Sequence, residues 1–124
     1  MRQHLRKIVS GGQTGVDRGA LDAALAAGFP CGGWCPEGRL AEDGPIADCY
    51  PMAVLPGASY EERTLRNILD SDATAVLHSG NLEGGTRLTV EHCVRHGKPR
   101  LLIDASACPS DRAAAEIAAF IERA

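Results

Sequence analysis

The feature that most constrains the fold is a buried strand that leads directly into a glycine-rich loop and then a helix. Lys7-Ile8-Val9-Ser10 has the short, continuous apolar run of a strand that is buried on both faces. Gly11-Gly12-Gln13-Thr14-Gly15 interrupts this run, and a helix is predicted from about Val16 to Ala27, with Gly28 as its stop. This order of elements is typical of α/β domains that bind ligands at strand ends.

The alternation of strand and helix continues along the chain. Strands are predicted at 29–35, 52–55, 74–78 and 100–103, and helices at about 59–70, 86–96 and from Ser110 onward. The pattern predicts a Rossmann-like, three-layer α/β/α fold with a mostly parallel sheet of about five strands. If the strand order is 3-2-1-4-5, the first and fourth strands are neighbours at the switch point of the sheet. We expect one domain over residues 1–124. The predicted core positions of the first and last helices are Val16, Ala20, Ala23, Ala24, Ala27, Ala114, Ile117, Ala118 and Ile121.

Composition narrows the class of partner. The net charge is −3 and no cluster of Lys and Arg stands out, which argues against a nucleic-acid surface. No apolar segment approaches the length of a membrane span or of a signal peptide, so no membrane partner is predicted. The five cysteines are an odd number without a disulfide framework, which favours reduced thiols and a cytoplasmic protein.

The first glycine loop, residues 11–15, has the properties of an anion site. Gly11, Gly12 and Gly15 let backbone N–H groups approach an anion closely, and the following helix contributes its unpaired donors and positive dipole end. Gln13 and Thr14 add side-chain hydrogen bonds, and Arg18 adds a full charge. The loop matches neither the Walker pattern nor the dinucleotide fingerprint. A tight turn without a ligand is the alternative, and we favour binding.

The second glycine-rich loop follows the strand predicted at 74–78. Its candidate ligand residues are Ser79, Gly80, Gly84, Gly85 and Thr86, with Thr89 one turn further along the helix. Thr86 as a simple N-cap is the alternative. The predicted strand order places both loops at the point where such sheets bind ligands. We therefore predict that the two loops together hold a phosphate-bearing or oxyanionic small molecule.

Four further positions are candidates. Trp34 could stack on a planar ring, Arg39 could clamp an anion, and Asn67 or Arg63 could reach the ligand from the helix after Ser59. The alternatives are a core Trp, a solvated loop and a solvated helix face. The long loop at 36–51 is a candidate lid or pocket wall.

Two pairs of potential metal ligands are incomplete. Cys31 and Cys35 are four apart, as are His92 and His96, but neither pair belongs to a recognised set of four ligands. We therefore predict inert thiols, surface histidines and no tightly bound metal site. No Ser/His/Asp arrangement or nucleophile elbow is present either.

Longer motifs resemble those of one family. Residues 10–22, Ser-Gly-Gly-Gln-Thr-Gly-Val-Asp-Arg-Gly-Ala-Leu-Asp, strongly resemble the opening of the molybdenum carrier proteins. Residues 32–39, 41–46, 70–74 and 84–86 are also similar to that family, so the resemblance extends over roughly residues 7–104. This family lies within a Rossmann-like group that includes the lysine-decarboxylase-like nucleotide phosphoribohydrolases and DprA.

The resemblance implies a five-stranded Rossmann-like fold and a carrier of molybdenum cofactor or molybdate, without chemistry of its own. The cofactor carries a phosphate for the glycine loops and a pterin ring for Trp34. The phosphoribohydrolase relatives imply an alternative, in which Glu91 acts as acid or base on an N-glycosidic bond while Arg18 holds the phosphate. A nucleotide-sensing module is a third reading. The alanine-rich helices of low charge favour a homo-oligomer.

Overall fold

The computed structural model describes residues 5–123, and these contain four helices and seven short strands. They divide into two compact units. One is Arg6–Asn67, and the other comprises the described residues from Ile68 onward, together with Leu5. The prediction of one domain over residues 1–124 stays a prediction.

The unit Arg6–Asn67 is built on a three-stranded parallel sheet, in which β2 (Cys31–Cys35) lies between β1 (Ile8–Val9) and β5 (Met52–Val54). Leu21 and Cys35 are fully buried at its centre, packed with Ile46 and Met52. Burial of these side chains provides the main free energy that holds the helix and the loop against the sheet. Its elements are β1 (Ile8–Val9), α1 (Val16–Ala26), β2 (Cys31–Cys35), β3 (Leu40–Ala41), β4 (Gly44–Pro45) and β5 (Met52–Val54).

The buried face of α1 differs from the predicted stripe. Ala24 is buried as predicted, but Val16 is 52% exposed and Ala23 and Ala27 are exposed as well. The other buried residue of the helix is Leu21. The prediction counted alanines at helical spacing, but Leu21 has far more apolar area to remove from water and therefore sets the face that turns inward.

The segment at 36–51 is more regular than predicted. A 3₁₀ turn at Glu37–Arg39 leads into an antiparallel hairpin of β3 and β4, in which Leu40 pairs with Pro45. Ile46 follows the hairpin and is buried. The burial of Ile46 thus attaches the segment at 36–51 to the hydrophobic core.

The second unit contains a two-stranded parallel sheet of β6 (Thr74–His78) and β7 (Arg100–Asp104). Two helices pack on these strands, α3 (Gly84–Arg95) on β6 and α4 (Ser110–Arg123) on β7. In α4 the buried residues are Ala113 and Phe120, whereas the predicted Ala114 and Ala118 are exposed. The aromatic ring of Phe120 has the largest apolar area in the helix, which explains the rotation.

Helix α2 (Tyr60–Leu69) begins with the predicted capping box. The Ser59 N–H donates to Glu62 Oε1 at 3.3 Å, and the Glu62 N–H donates to Ser59 Oγ at 3.1 Å. Both bonds satisfy backbone donors that a helix start leaves without a partner.

The α/β class, the parallel pairing and the partial orders 3-2-1 and 4-5 are confirmed. Within residues 5–123 the hydrogen bonds form separate sheets of three and two parallel strands, rather than one sheet of about five. A continuous sheet would need a ladder along β1, which pairs through only two residues with β2. No helix in the described part of the chain is long and apolar enough to cross a membrane.

Candidate functional site

The first glycine loop uses two of its backbone donors internally. The Gly12 N–H donates to Ser10 Oγ at 3.2 Å, and the Gln13 N–H donates to Asp17 Oδ2 at 3.3 Å. Gly15 caps α1 without any side-chain hydrogen bond to the helix start. Of the backbone donors that were predicted to bind a ligand, those of Gly12 and Gln13 are therefore already bonded to side chains of the chain itself.

Asp17 lies in the first turn of α1 and is only partly exposed to solvent. Burial raises the pKa of its carboxyl group above the ordinary value, and this outweighs the hydrogen bond from Gln13 and the charges of Arg63 and Arg18. Asp17 was not among the predicted ligand residues. An acid in the first turn is favoured at helix starts in general, because the positive end of the helix dipole stabilises negative charge.

Arg63 of α2 lies beneath the same loop. Its side chain is almost fully buried, with 3% of the residue exposed, and its Nη1 donates to the Gly11 carbonyl at 3.1 Å. The guanidinium stacks on Tyr60 at 4.5 Å, while its buried Nε has no hydrogen-bond partner among residues 5–123. The solvated-face alternative is therefore wrong for Arg63. A buried guanidinium with an unused donor is costly unless something else satisfies it.

Gly11 is buried and lies close to both of these charged groups. A Cβ at Gly11 would lie 3.0 Å from Arg63 Nη1 and 3.0 Å from Asp17 Oδ2. Any side chain there would press on both groups. The arrangement brings a guanidinium and a carboxylate close to the same glycine.

Arg18 connects the loop to the hairpin. Its guanidinium donates to the Gly12 carbonyl from Nε and Nη2, at 3.2 and 3.0 Å, and forms a two-point ion pair with Asp43 at 3.1 and 3.3 Å. The hydrogen bond with Asp43 raises the pKa of Arg18 and lowers that of Asp43. The predicted anion role of Arg18 would therefore compete with Asp43.

The other side chains of the loop differ in their surroundings. Gln13 Nε2 donates to the Leu40 carbonyl at 3.2 Å, which ties the loop to the hairpin. Thr14 is exposed. Of the two predicted polar contacts, Thr14 is thus the one at the solvent boundary.

Arg39 organises the segment at 36–51. Its guanidinium donates to four backbone carbonyl groups, and the bonds range from 2.8 to 3.4 Å. These acceptors are Ile46, Ala47, Tyr50 and Met52. The backbone at Arg39 has φ of +54°, an uncommon conformation for a residue with a side chain. Its donors are thus directed at the backbone of its own segment, and the predicted anion clamp would have to displace them.

Trp34 and Asn67 form a structural clamp. The backbone N–H of Trp34 donates to Asn67 Oδ1 at 2.8 Å, and Asn67 Nδ2 donates to the backbone carbonyl of Trp34 at 3.2 Å. The Arg66 guanidinium lies 4.9 Å from the centre of the indole ring. The side-chain amide of Asn67 therefore bonds the backbone of β2 at Trp34. Arg66 already stacks on the indole ring that was predicted to stack on a ligand.

The second glycine-rich loop begins with a contact that the sequence did not predict. The Gly80 N–H donates to Asp104 Oδ1 at 3.2 Å, and His78 Nδ1 lies 2.8 Å from the Gly80 carbonyl oxygen. Hydrogen bonds from Ser106 and Gly80 lower the pKa of Asp104. Ser79 and Gly80 are both exposed. The sequence feature that could have indicated this contact is an acidic residue, Asp104, at the carboxyl end of β7.

Helix α3 starts two residues earlier than predicted, at Gly84. Glu83 is its N-cap and makes no side-chain capping bond, so Thr86 is not the N-cap. Thr89 Oγ1 donates to the Gly85 carbonyl at 2.9 Å. The hydroxyl group is therefore bonded to the carbonyl four residues earlier in its own helix. Glu91, the acid of the alternative enzyme, is largely exposed and lies 4.0 Å from Arg87 Nε.

The cysteine and histidine pairs form no complete set of metal ligands. All five cysteines are free, and burial raises the pKa of the Cys35 thiol. Within residues 5–123, no group of three or more His, Cys, Asp or Glu side chains is placed to hold a metal ion. His92 is buried rather than on the surface, which corrects that expectation.

Comparisons with known proteins agree with this architecture. Residues 8–124 match the Circularly permutated YpsA SLOG family. The chain is also similar to a crystal structure from Syntrophus aciditrophicus SB named "Putative molybdenum carrier protein", with 41% identity and a TM-score of 0.91. The match covers 98% of this chain and 77% of the other. The chain matches no curated protein. The resemblance inferred from the motifs is confirmed.

Proposed function

Because the chain belongs to the Circularly permutated YpsA SLOG family, we propose that it is a small-molecule binding protein whose first glycine loop holds an oxyanion or a phosphate group. The observation that carries this proposal is Arg63, a buried guanidinium that donates to the Gly11 carbonyl and whose Nε has no hydrogen-bond partner among residues 5–123. Such a group is stabilised when an anion supplies the missing acceptor. The helix start at Gly15, which has no side-chain cap, adds donors of the right polarity.

Molybdate or molybdenum cofactor is the ligand that we propose within this class. The name of the Syntrophus aciditrophicus neighbour supports it, and so does the chemistry of the loop, because molybdate is an oxyanion and the cofactor bears a phosphate. Gly11, Gly15 and Arg63 would hold the anionic group. The stacking of a pterin on Trp34 stays a prediction.

The test is calorimetric titration of the pure protein with sodium molybdate and, separately, with a nucleoside monophosphate. Arg63→Met keeps most of the side-chain volume and removes the charge. We expect it to weaken anion binding by about tenfold to a hundredfold, the value of one charge-assisted hydrogen bond. Elemental analysis of the protein as isolated would add direct evidence for molybdenum.

The matched control is Arg112→Met, since Arg112 is an exposed arginine of α4 that pairs with Glu116. It should bind like the wild type. If Arg63→Met folds and binds molybdate with unchanged affinity, the proposal is wrong. The separate prediction that residues of the second loop bind a ligand is checked with Thr86→Val, which should then weaken binding.

A cytoplasmic homo-oligomer remains part of the proposal. Exposed apolar side chains such as Val94 and Leu102, which are 56% and 38% exposed, support self-association, because they would leave water in an interface. Sedimentation velocity at several concentrations measures the mass in solution. A monomer at every concentration would contradict this expectation.

A further inference from the structure

The edge of β7 that faces away from β6 is an open backbone edge. At the end of the ladder between the two strands, the Ala105 N–H donates to the His78 carbonyl at 2.6 Å. Backbone groups of alternate residues point to opposite sides of a strand, so every second residue of β7 points its N–H and C=O groups outward. These residues are Arg100, Leu102 and Asp104. Within residues 5–123 no strand pairs with this outer edge, and such an edge accepts another strand.

The side chains at the same three positions lie on one face of β7 and have few partners. Leu102 is apolar and 38% exposed. Arg100 is exposed and makes no ion pair in the described part of the chain. Asp104 accepts the hydrogen bonds of Gly80 and Ser106 on Oδ1, which leaves Oδ2 available as an acceptor. The outer edge therefore presents a cation, an apolar side chain and an anion, in that order.

This order of side chains is complementary to itself in the antiparallel direction. Arg100 and Asp104 are four positions apart, which is about 13 Å along a strand, so they do not pair within one chain. In an antiparallel pair centred on Leu102, each Arg100 lies opposite Asp104 of a second copy, and the two Leu102 side chains are neighbours. A parallel pair in the same register would place like charges beside each other.

Building on the self-association that belongs to the proposed function, we infer that β7 is the surface through which it occurs. Two copies pair their β7 strands antiparallel, about a twofold axis at Leu102, and form one continuous sheet. Each Leu102 N–H donates to the Leu102 carbonyl of the other copy, and each Asp104 N–H donates to the Arg100 carbonyl opposite. The opposite charges select this register among those that the outward backbone groups allow.

Charge reversal at each end of β7 tests the pairing. Arg100→Glu places two carboxylates opposite each other, and Asp104→Lys places two cations opposite each other. In sedimentation velocity experiments we expect the wild type to form dimers, and each variant to have a dimer dissociation constant at least about tenfold higher. An equimolar mixture of the two variants should form dimers again, because every charge pair in the mixed dimer is attractive. Circular dichroism checks that each variant is folded.

Leu25→Lys is the matched control for a third variant, Leu102→Lys. The two leucines are similarly exposed, at 40% and 38%, but Leu25 belongs to α1. Leu102→Lys places an ammonium group from each copy at the twofold axis and should dissociate the dimer. Leu25→Lys should associate like the wild type.

Amide hydrogen exchange of the wild type tests the inference without any variant. The Leu102 N–H should be protected at concentrations at which the dimer forms, and it should exchange rapidly upon dilution. A dimer with an unprotected Leu102 N–H, or one that Arg100→Glu does not weaken, would overturn the inference while the proposed self-association stands. A monomer at every concentration would overturn both. Molybdate binding is measured separately by titration, so its failure is distinguishable from either result.

Discussion

Gly33→Ala is expected to lower the free energy of unfolding by more than about 3 kcal/mol, the largest effect of any single substitution that we predict. A Cβ at Gly33 would overlap the Ser10 carbonyl oxygen. This contact is with backbone, which no rotamer change relieves, and the φ of +147° at Gly33 is a conformation that other residues rarely adopt. The Ser10 N–H donates to the Gly32 carbonyl at 2.8 Å, so β1 and β2 would have to separate to admit the methyl group.

Urea unfolding followed by the fluorescence of Trp34 measures this effect, because the chain has one tryptophan. Gly19→Ala is the control. Gly19 lies inside α1, and a Cβ there would meet nothing within 4 Å. Alanine at that position should raise the stability by about 0.5 to 1 kcal/mol, through helix propensity. Equal midpoints for Gly33→Ala and the wild type would show that β1 and β2 do not approach as described.

Arg39→Lys is expected to lower the free energy of unfolding by about 2 kcal/mol although it preserves the charge. The planar guanidinium reaches four carbonyl groups at once, whereas an ammonium group with three donors on a flexible stem cannot match that geometry. The carbonyl groups of Ile46 and Met52 lie next to buried side chains and would lose a partner.

Hydrogen exchange separates this effect from a general loss of stability. The Ile46 N–H donates to the Arg39 carbonyl at 2.6 Å, so its protection should fall first in Arg39→Lys. Arg112→Lys, on an exposed arginine, should stay within about 0.5 kcal/mol of the wild type. If Arg39→Lys behaves like Arg112→Lys, then the guanidinium contacts do not hold the segment at 36–51.

Local features of the sequence were sufficient for the four helices and for the strands of the parallel sheets, but not for the hairpin of β3 and β4. The strand at 74–78 and the capping box of Ser59 and Glu62 occur where they were predicted, because both depend on neighbours within a few residues. The loop after β1 is likewise local, since Gly12 and Gly15 have the positive φ angles that the turn between strand and helix uses and that glycine adopts readily. The motifs at residues 10–22 also identified the family correctly.

The roles of the arginines were decided by tertiary structure. Arg63 and Gly11 are 52 positions apart, and no spacing rule links them. Arg39 resembles a ligand clamp in the sequence, but it bonds carbonyl groups of a segment whose path is set by the burial of Ile46 and Met52. Sequence patterns record which residue can carry a charge or a turn. The partner of a long side chain depends on packing between distant segments, and for that reason only the folded chain shows it.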